Sequence, residues 1–143
     1  DDLVVSSDEK TAYCACHKGK YGMAHVAVID IENKKIIKTI PTGYGTCGLT
    51  MTPDERYVAA SNDQDDSITV IVTTINEGVN TPCAREAFDT LGITGYIQGI
   101  SGACDGSIFV YGCEGNGAIV KFEDIAKSNK FTVSWKGGKY TSD

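Results

Sequence analysis

The chain repeats one short pattern three times. The pattern occupies residues 3–16, returns 46 positions later at residues 49–62, and returns after 51 more positions at residues 100–113. Each copy is a short apolar stretch, an Asp-Glu or Asp-Gly turn, and a second stretch rich in aromatic and β-branched residues, which indicates a hairpin with a two-residue turn. Because self-similarity at such a period is typical of repeat architectures, the sequence predicts three copies of one β-unit.

A third strand is predicted after each hairpin, at residues 25–30, 68–72 and 118–122. A fourth strand completes the first and third units at residues 35–40 and 131–135. In the second unit the fourth strand must lie within residues 77–93, a stretch that also contains the helix-like run 84–88. Four antiparallel strands in about 45 residues form one blade of a β-propeller. The predicted fold is therefore all-β, with three four-stranded antiparallel blades of a β-propeller.

The whole chain is predicted to be one propeller segment, with approximate blades at residues 1–46, 47–97 and 98–143. Propellers close with about four to eight blades, so three blades leave two apolar blade faces in contact with water. Soluble monomers rarely tolerate apolar patches of several hundred Å². We therefore expect the ring to be completed by a second copy or by another chain, as a homodimer or a hetero-oligomer.

The middle repeat resembles the YVTN-type β-propeller repeat family. The similarity lies in residues 52–62, Thr-Pro-Asp-Glu-Arg-Tyr-Val-Ala-Ala-Ser-Asn, and in residues 67–71, Ser-Ile-Thr-Val-Ile. It extends over nearly the whole chain, and departs from the family at Cys14, at Cys16 and in the long segment of the second blade. The resemblance implies an architecture and no particular chemistry. Since such repeats occur in secreted, periplasmic and cell-surface proteins, it implies an extracellular or periplasmic location, with a cytoplasmic one as the alternative.

Composition and charge narrow the classes of partner. The net charge of −6 opposes nonspecific binding to nucleic acid, because phosphates would be repelled. No apolar run approaches eighteen residues, so no membrane span is expected. No signal peptide is visible at Asp1-Asp2, which leaves a mature form, a cleavage product and a cytosolic protein all open. The six cysteines show no zinc spacing, and both thiols and disulfides remain open for them.

Antiparallel connectivity places one set of loops at one end of the predicted blades. Loops on a rigid scaffold tend to carry binding sites, so the candidate ligand-binding residues are taken from these loops. These candidates are Tyr44, Tyr96, Tyr140, Asn62, Asp63, Asp65, Asp66, Glu114 and Asn116. The three tyrosines precede or follow repeats at matching places and could stack on sugars or apolar ligands, or instead pack between blades. The acidic cluster could hold calcium, but it lacks the EF-hand pattern, so a polar turn is the preferred interpretation.

The first blade contains the candidate metal ligands. They are His17, Met23, His25, Cys14 and Cys16. Imidazole and soft sulfur are ligands that copper accepts, whereas a solvated loop with histidines at strand ends is the simpler interpretation. No cofactor is predicted, and copper is retained as a hypothesis.

The sequence contains no nucleophile elbow, zinc-protease motif or Walker loop. The predicted function is a non-catalytic β-propeller binding and assembly module that takes a small molecule, a glycan or a protein on its loops. One alternative is the propeller portion of a periplasmic or extracellular redox enzyme, an oxidoreductase subunit similar to quinoprotein dehydrogenases. A second alternative is a structural subunit of an extracellular polymer.

Overall fold

The computed structural model describes residues 2–17 and 23–121. In these residues it contains three antiparallel sheets and one helix, α1 (Cys83–Leu91). The first sheet consists of β1 (Leu3–Val5), β2 (Thr11–Cys16), β3 (His25–Asp30) and β4 (Lys35–Pro41). The second consists of β5 (Thr46–Met51), β6 (Tyr57–Asn62), β7 (Ser67–Val72) and β8 (Glu77–Thr81). The third consists of β9 (Ile97–Gly102), β10 (Ser107–Gly112) and β11 (Gly117–Lys121).

The strands of each sheet pair in chain order, which confirms the predicted meander blades. The fourth strand of the second unit, predicted within residues 77–93, is β8, and the helix-like run that follows it lies in α1. Gly92 ends this helix in a left-handed conformation, with φ of 65°. The predicted strand at residues 131–135 lies outside the described residues.

The hairpin turns are longer than the predicted two-residue turns. In the first turn the Ser6 amide donates to the carbonyl of Thr11 (2.9 Å), and the Glu9 amide donates to the carbonyl of Ser6 (2.9 Å). The Ser6 hydroxyl oxygen also accepts the Thr11 amide at 3.0 Å. This side-chain bond supports a longer loop, which explains the error. Glu9 has a φ of 58°, so the turn depends on one left-handed residue.

The same turn recurs in the other sheets, which aligns the repeats residue by residue. Thr52 and Tyr57 bracket the second turn, and Glu55 takes its left-handed position with a φ of 59°. Ala103 and Ser107 bracket the third turn, which is one residue shorter and has Gly106 at the left-handed position. Residues counted outward from the turns are therefore structurally equivalent.

Two apolar layers lie between consecutive sheets. Strand alternation sends successive side chains to opposite sides, so each sheet has a forward face toward the following sheet and a rear face toward the preceding one. The first layer joins the forward face of the first sheet to the rear face of the second; its members include Tyr13, Val26, Val28, Leu49, Val58 and Ile71. The second joins the second sheet, the third sheet and α1; its members include Ile68, Val70, Phe88, Ile100, Ile108 and Val110.

None of the described helical residues forms a helix that is long and apolar enough to cross a membrane.

Candidate functional site

The sheets present two ends, named here by their connections. The loop face carries the β2–β3, β4–β5, β6–β7, β8–β9 and β10–β11 connections, where the predicted ligand-binding residues of the described region lie. The turn face carries the β1–β2, β5–β6 and β9–β10 hairpin turns.

A buried hydrogen-bond network supports the loop face of the second sheet. Asn62, at the end of β6, is fully buried. Its Oδ1 accepts from the Thr46 hydroxyl (2.8 Å), and its Nδ2 donates to the Ser67 hydroxyl oxygen (2.9 Å). The same Nδ2 lies within hydrogen-bond distance of Thr69 Oγ1 (3.1 Å) and Asn80 Oδ1 (3.3 Å). Asn62 therefore holds the strands and the loop beside it together.

Three of the predicted residues come together above this network. Asp65 Oδ2 accepts the Tyr44 amide (3.1 Å), and the Tyr44 carbonyl accepts the Gln64 amide (3.1 Å). The Asp63 amide donates to the Gly45 carbonyl at 3.0 Å. Asp63 Oδ1 is buried and has no hydrogen-bond partner among the described residues. The β4–β5 and β6–β7 loops are thus hydrogen-bonded to each other mainly through backbone groups.

Asp66 belongs to a separate cluster that joins the second and third sheets. Its Oδ1 accepts the Ile97 amide (2.7 Å), and its Oδ2 pairs with Arg85 Nη1 (3.3 Å). Arg85 also donates to the carbonyls of Gly95 (2.8 Å) and Ile93 (3.1 Å). Sequence reasoning did not single out Arg85. The signal that could have found it is a cationic side chain within the helix-like run 84–88.

The remaining loop-face candidates in the described region lie on the third sheet. The Tyr96 carbonyl accepts the Cys113 amide at 3.1 Å, and Thr94 Oγ1 donates to Glu114 Oε2 at 3.2 Å. Asn116 Oδ1 is buried without a hydrogen-bond partner among the described residues. These contacts do not connect the candidates of the third sheet to Tyr44.

The two described tyrosines of the repeated position are exposed. Tyr44 is 69% and Tyr96 51% exposed, so neither ring packs between blades. That packing interpretation is wrong for these two residues, and ligand stacking stays a prediction. Tyr140 lies outside the described residues.

Three of the predicted metal ligands share the rear face of the first sheet. Cys16 pairs directly with His25 across β2 and β3, and Cys14 lies two residues away on the same face. Burial, followed by the charge of Cys14, raises the pKa of the Cys16 thiol. A raised thiol pKa opposes the thiolate form that binds metal.

The side chains of the other two candidates are not shown in contact with these three, although the carbonyl oxygen of Met23 lies 3.3 Å from His25 Nδ1. His17 Nε2 is 3.4 Å from Gln64 Nε2 of the second sheet, and Met23 is exposed. Within residues 2–17 and 23–121 no group of three or more His, Cys, Asp or Glu side chains could hold a metal ion. Residues 18–22 of the same loop lie outside the described residues, and copper binding stays a prediction.

All six cysteines are described and all are free thiols, which answers the question that the sequence left open. Cys83 is buried in α1, and burial raises its pKa to about 12. Cys104 is exposed in the third hairpin turn.

We expect the two thiols to differ sharply in reactivity. At pH 8 a thiol reagent should label Cys104 rapidly and Cys83 only after unfolding, because the buried thiol cannot ionise or meet the reagent. Since the raised pKa favours the neutral folded form, this thiol's contribution to stability should fall as the pH rises from 9.0, its ordinary pKa, toward 12. Mass spectrometry of labelled peptides measures the rates, and fast labelling of Cys83 in folded protein would contradict the burial.

The turn face carries an inter-sheet contact that sequence reasoning missed. Glu55 Oε1 accepts the Ser7 amide (2.6 Å), and its Oε2 accepts the Ser7 hydroxyl (2.7 Å). We call this pair the turn clamp. Between the second and third sheets Pro53 stands at the place of Ser7 and Gly106 at the place of Glu55, so both partners of the clamp are missing together.

A cleft of about 300 Å³ lies between the second and third turns, where the clamp is missing. Its lining includes Pro53, Tyr57, Cys104 and Asp105. Asp54 also lines it, and the hydroxyl of Thr52, followed by the Arg56 amide, lowers the pKa of this carboxyl to about 2. A second cleft of about 250 Å³ lies beside the turn clamp. Both clefts are on the turn face, opposite the predicted binding residues.

The turn clamp should show a measurable coupling. A double-mutant cycle of Ser7→Ala and Glu55→Ala should give about 0.5–1 kcal/mol, because one hydroxyl–carboxylate bond near the surface is removed. The cycle cancels the strain that alanine meets at the left-handed position of Glu55. Urea unfolding followed by circular dichroism measures the four stabilities. A coupling of zero would contradict the clamp.

Comparison with solved structures identifies the architecture. The Kuenenia stuttgartiensis hydrazine synthase structure matches 97% of this chain with a TM-score of 0.75 at 15% identity. The structures of U3-55K and of the RRP9 WD40 repeats each match 92% of it with a TM-score of 0.67, at 11% and 12% identity. The matched region is 36%, 37% and 36% of those chains, so this chain spans little more than a third of their length. No protein-family model and no curated protein sequence matches the chain.

These findings define the class of protein: the fold is a β-propeller segment of the WD40-like kind. The three sheets are consecutive blades, two with four strands and one with three in the described region. At these identities the likeness shows the fold alone, and the YVTN-type resemblance stays a prediction.

Proposed function

We propose that this chain is a non-catalytic propeller segment that assembles through its two end blades. The rear face of the first blade and the forward face of the third pack against further blades, and the assembled loop face offers a rigid surface with the exposed rings of Tyr44 and Tyr96. Rings of this kind suit a glycan or another ligand with an apolar face.

The observation that carries the proposal is a comparison of equivalent positions. Leu3 of the first rear face is 53% exposed, whereas Leu49, three residues before the turn in the second blade, is 5% exposed. Ile29 is half-buried, whereas its equivalent Ile71 is fully buried. The repeat therefore places apolar side chains on the rear face, and a neighbouring blade is what buries them.

The forward face of the third blade repeats this relation. Tyr111 is 38% exposed, whereas Ala15 at the equivalent position of the first blade is 1% exposed. Ile119 is half-buried, whereas its equivalent Val28 is fully buried. Burial of apolar surface contributes about 25 cal/mol per Å², which favours packing of these faces over their exposure to water.

Native mass spectrometry and thiol labelling test the proposal on the protein in its native complex. We expect a mass above 15.2 kDa and protection of Cys14, which lies on the rear face of the first blade. Urea-unfolded protein, in which Cys14 must react, is the control. A native species of 15.2 kDa with a reactive Cys14 would show that the end faces do not assemble.

A further inference from the structure

The polar contacts of the blade interfaces indicate which partner the two open faces fit. We propose that they fit each other: the forward face of the third blade in one copy packs on the rear face of the first blade in a second copy, and two copies close a six-bladed ring. This rests on the proposed function, which requires only that some blade covers each face.

The first matching feature is the turn clamp. Its equivalents at the closing interface are Glu9, which has the left-handed backbone of Glu55, and Cys104, which stands at the place of Ser7. Cys104 offers a backbone amide and a thiol where Ser7 offers an amide and a hydroxyl. The interface between two copies therefore has both partners of the clamp, whereas the interface between the second and third blades has neither.

The second feature is the hydrogen bond of the Tyr13 hydroxyl, which needs an acceptor on the following blade. At the first interface the Tyr13 hydroxyl donates to Asn76 Oδ1 at 2.9 Å. The equivalents at the closing interface are Phe109 and Lys34, and Lys34 shares the left-handed backbone of Asn76, with φ of 53° against 51°. Because Phe109 has no hydroxyl to donate, the absence of an asparagine at position 34 leaves no hydroxyl without an acceptor. The hydroxyl donor is therefore absent from the third blade, and the asparagine acceptor is absent from the first blade.

The third feature is a backbone amide of the inner strand. At the first interface Asp2 Oδ2 accepts the Leu49 amide at 2.8 Å. The equivalent amide at the closing interface is that of Leu3, which already donates to Asp2 Oδ1 at 2.9 Å. Gly99 stands at the place of Asp2 in the third blade and offers no carboxylate. The closing interface therefore needs no acceptor at this position.

The first relation pairs groups of the third blade with groups of the first blade, and the other two show that contact between these blades leaves neither a hydroxyl nor a strand amide without an acceptor. A forward face on a rear face is a heterologous contact, and it forms a ring when the rotation closes. Two copies supply two such contacts, which is the smallest closed arrangement.

The test uses two versions of the chain in which a link between positions 9 and 104 can form only across the interface. One version carries Glu9→Cys together with Cys104→Ser, and the other is the unmodified sequence with Cys104. After mixing, a short bis-maleimide should link the new thiol of the first version to Cys104 of the second, in a species of twice the chain mass. Peptide mass spectrometry identifies the linked pair. Glu77→Cys in the Cys104→Ser background is the control, since residue 77 is exposed on the outer strand β8 and should give no such link.

A second measurement does not depend on cysteine chemistry. Leu3→Asp should weaken self-association at least about thirtyfold, the effect of losing one central contact of an interface. Val79→Asp, at an exposed residue of β8, should leave it unchanged. Analytical ultracentrifugation gives the dissociation constants, and circular dichroism confirms that both variants fold.

The outcomes separate the two proposals. A dimer with the expected link supports the closed pair of copies, whereas an isolated chain that stays monomeric, or open oligomers larger than a dimer, would overturn it. If the chain is monomeric alone yet Cys14 is protected in a native complex with a different chain, the proposed function stands and the second copy is the wrong partner.

Discussion

Replacing Phe88 with alanine should lower the free energy of unfolding by about 3–5 kcal/mol, the usual cost of removing a buried aromatic ring. Phe88 is fully buried where α1 meets the second and third blades. Its ring lies close to Gly112, where an added Cβ would come within 3.2 Å of it, and the Arg85 guanidinium lies 5.6 Å from the ring centroid. A cavity here would separate the helix from two sheets at once.

Denaturant unfolding followed by circular dichroism measures this effect. Thr90→Ala, on the exposed side of the same helix, is the control and should change stability by less than about 1 kcal/mol. If Phe88→Ala costs no more than the control, α1 is a surface addition and does not hold the second and third blades together.

Asn62→Ala should lower the free energy of unfolding by about 3 kcal/mol. The change removes the Asn62 amide from the hydroxyls of Thr46 and Ser67, which keep other partners, so the cost comes from losing several buried hydrogen bonds worth about 0.5–1.5 kcal/mol each. Cavity formation adds to this cost. The loss should also loosen the β6–β7 loop, so that amide hydrogen exchange at Gln64 becomes faster.

The matched control is Asn33→Ala. Asn33 is exposed and bonds through its side chain to Asp30, so its replacement should change stability by less than about 1 kcal/mol. Equal effects of the two substitutions in urea unfolding would mean that the Asn62 network contributes little to stability.

Local patterns were enough to predict most strands. The run 25–30 coincides with β3, and residues 35–40 fall within β4, because period-two alternation and β-branched residues specify a strand whatever it packs against. The turn length was mispredicted because Asp-Glu was taken as the whole turn. The hydrogen bond that the Thr11 amide donates to the Ser6 hydroxyl oxygen joins residues five positions apart, and the two-residue hairpin signal does not include it.

The candidate site was predicted less well than the fold. Topology correctly grouped Tyr44, Asp63 and Asp65, because antiparallel connectivity puts alternate loops at one end of a sheet. It could not separate Asn62, which is enclosed by other side chains, from its exposed neighbours. The clefts of the turn face were missed, since their shape depends on which side chains span two adjacent turns.

The sequence by itself determined the repeat, the strand order and the apolar faces, because each follows from contacts within one hairpin or one sheet. Only the tertiary structure decided which of those faces are covered and which polar groups are paired across blades. Leu3 and Leu49 have the same local pattern, yet one is exposed and the other buried. The difference arises because burial depends on the neighbouring blade, which no residue near Leu3 in the chain can specify.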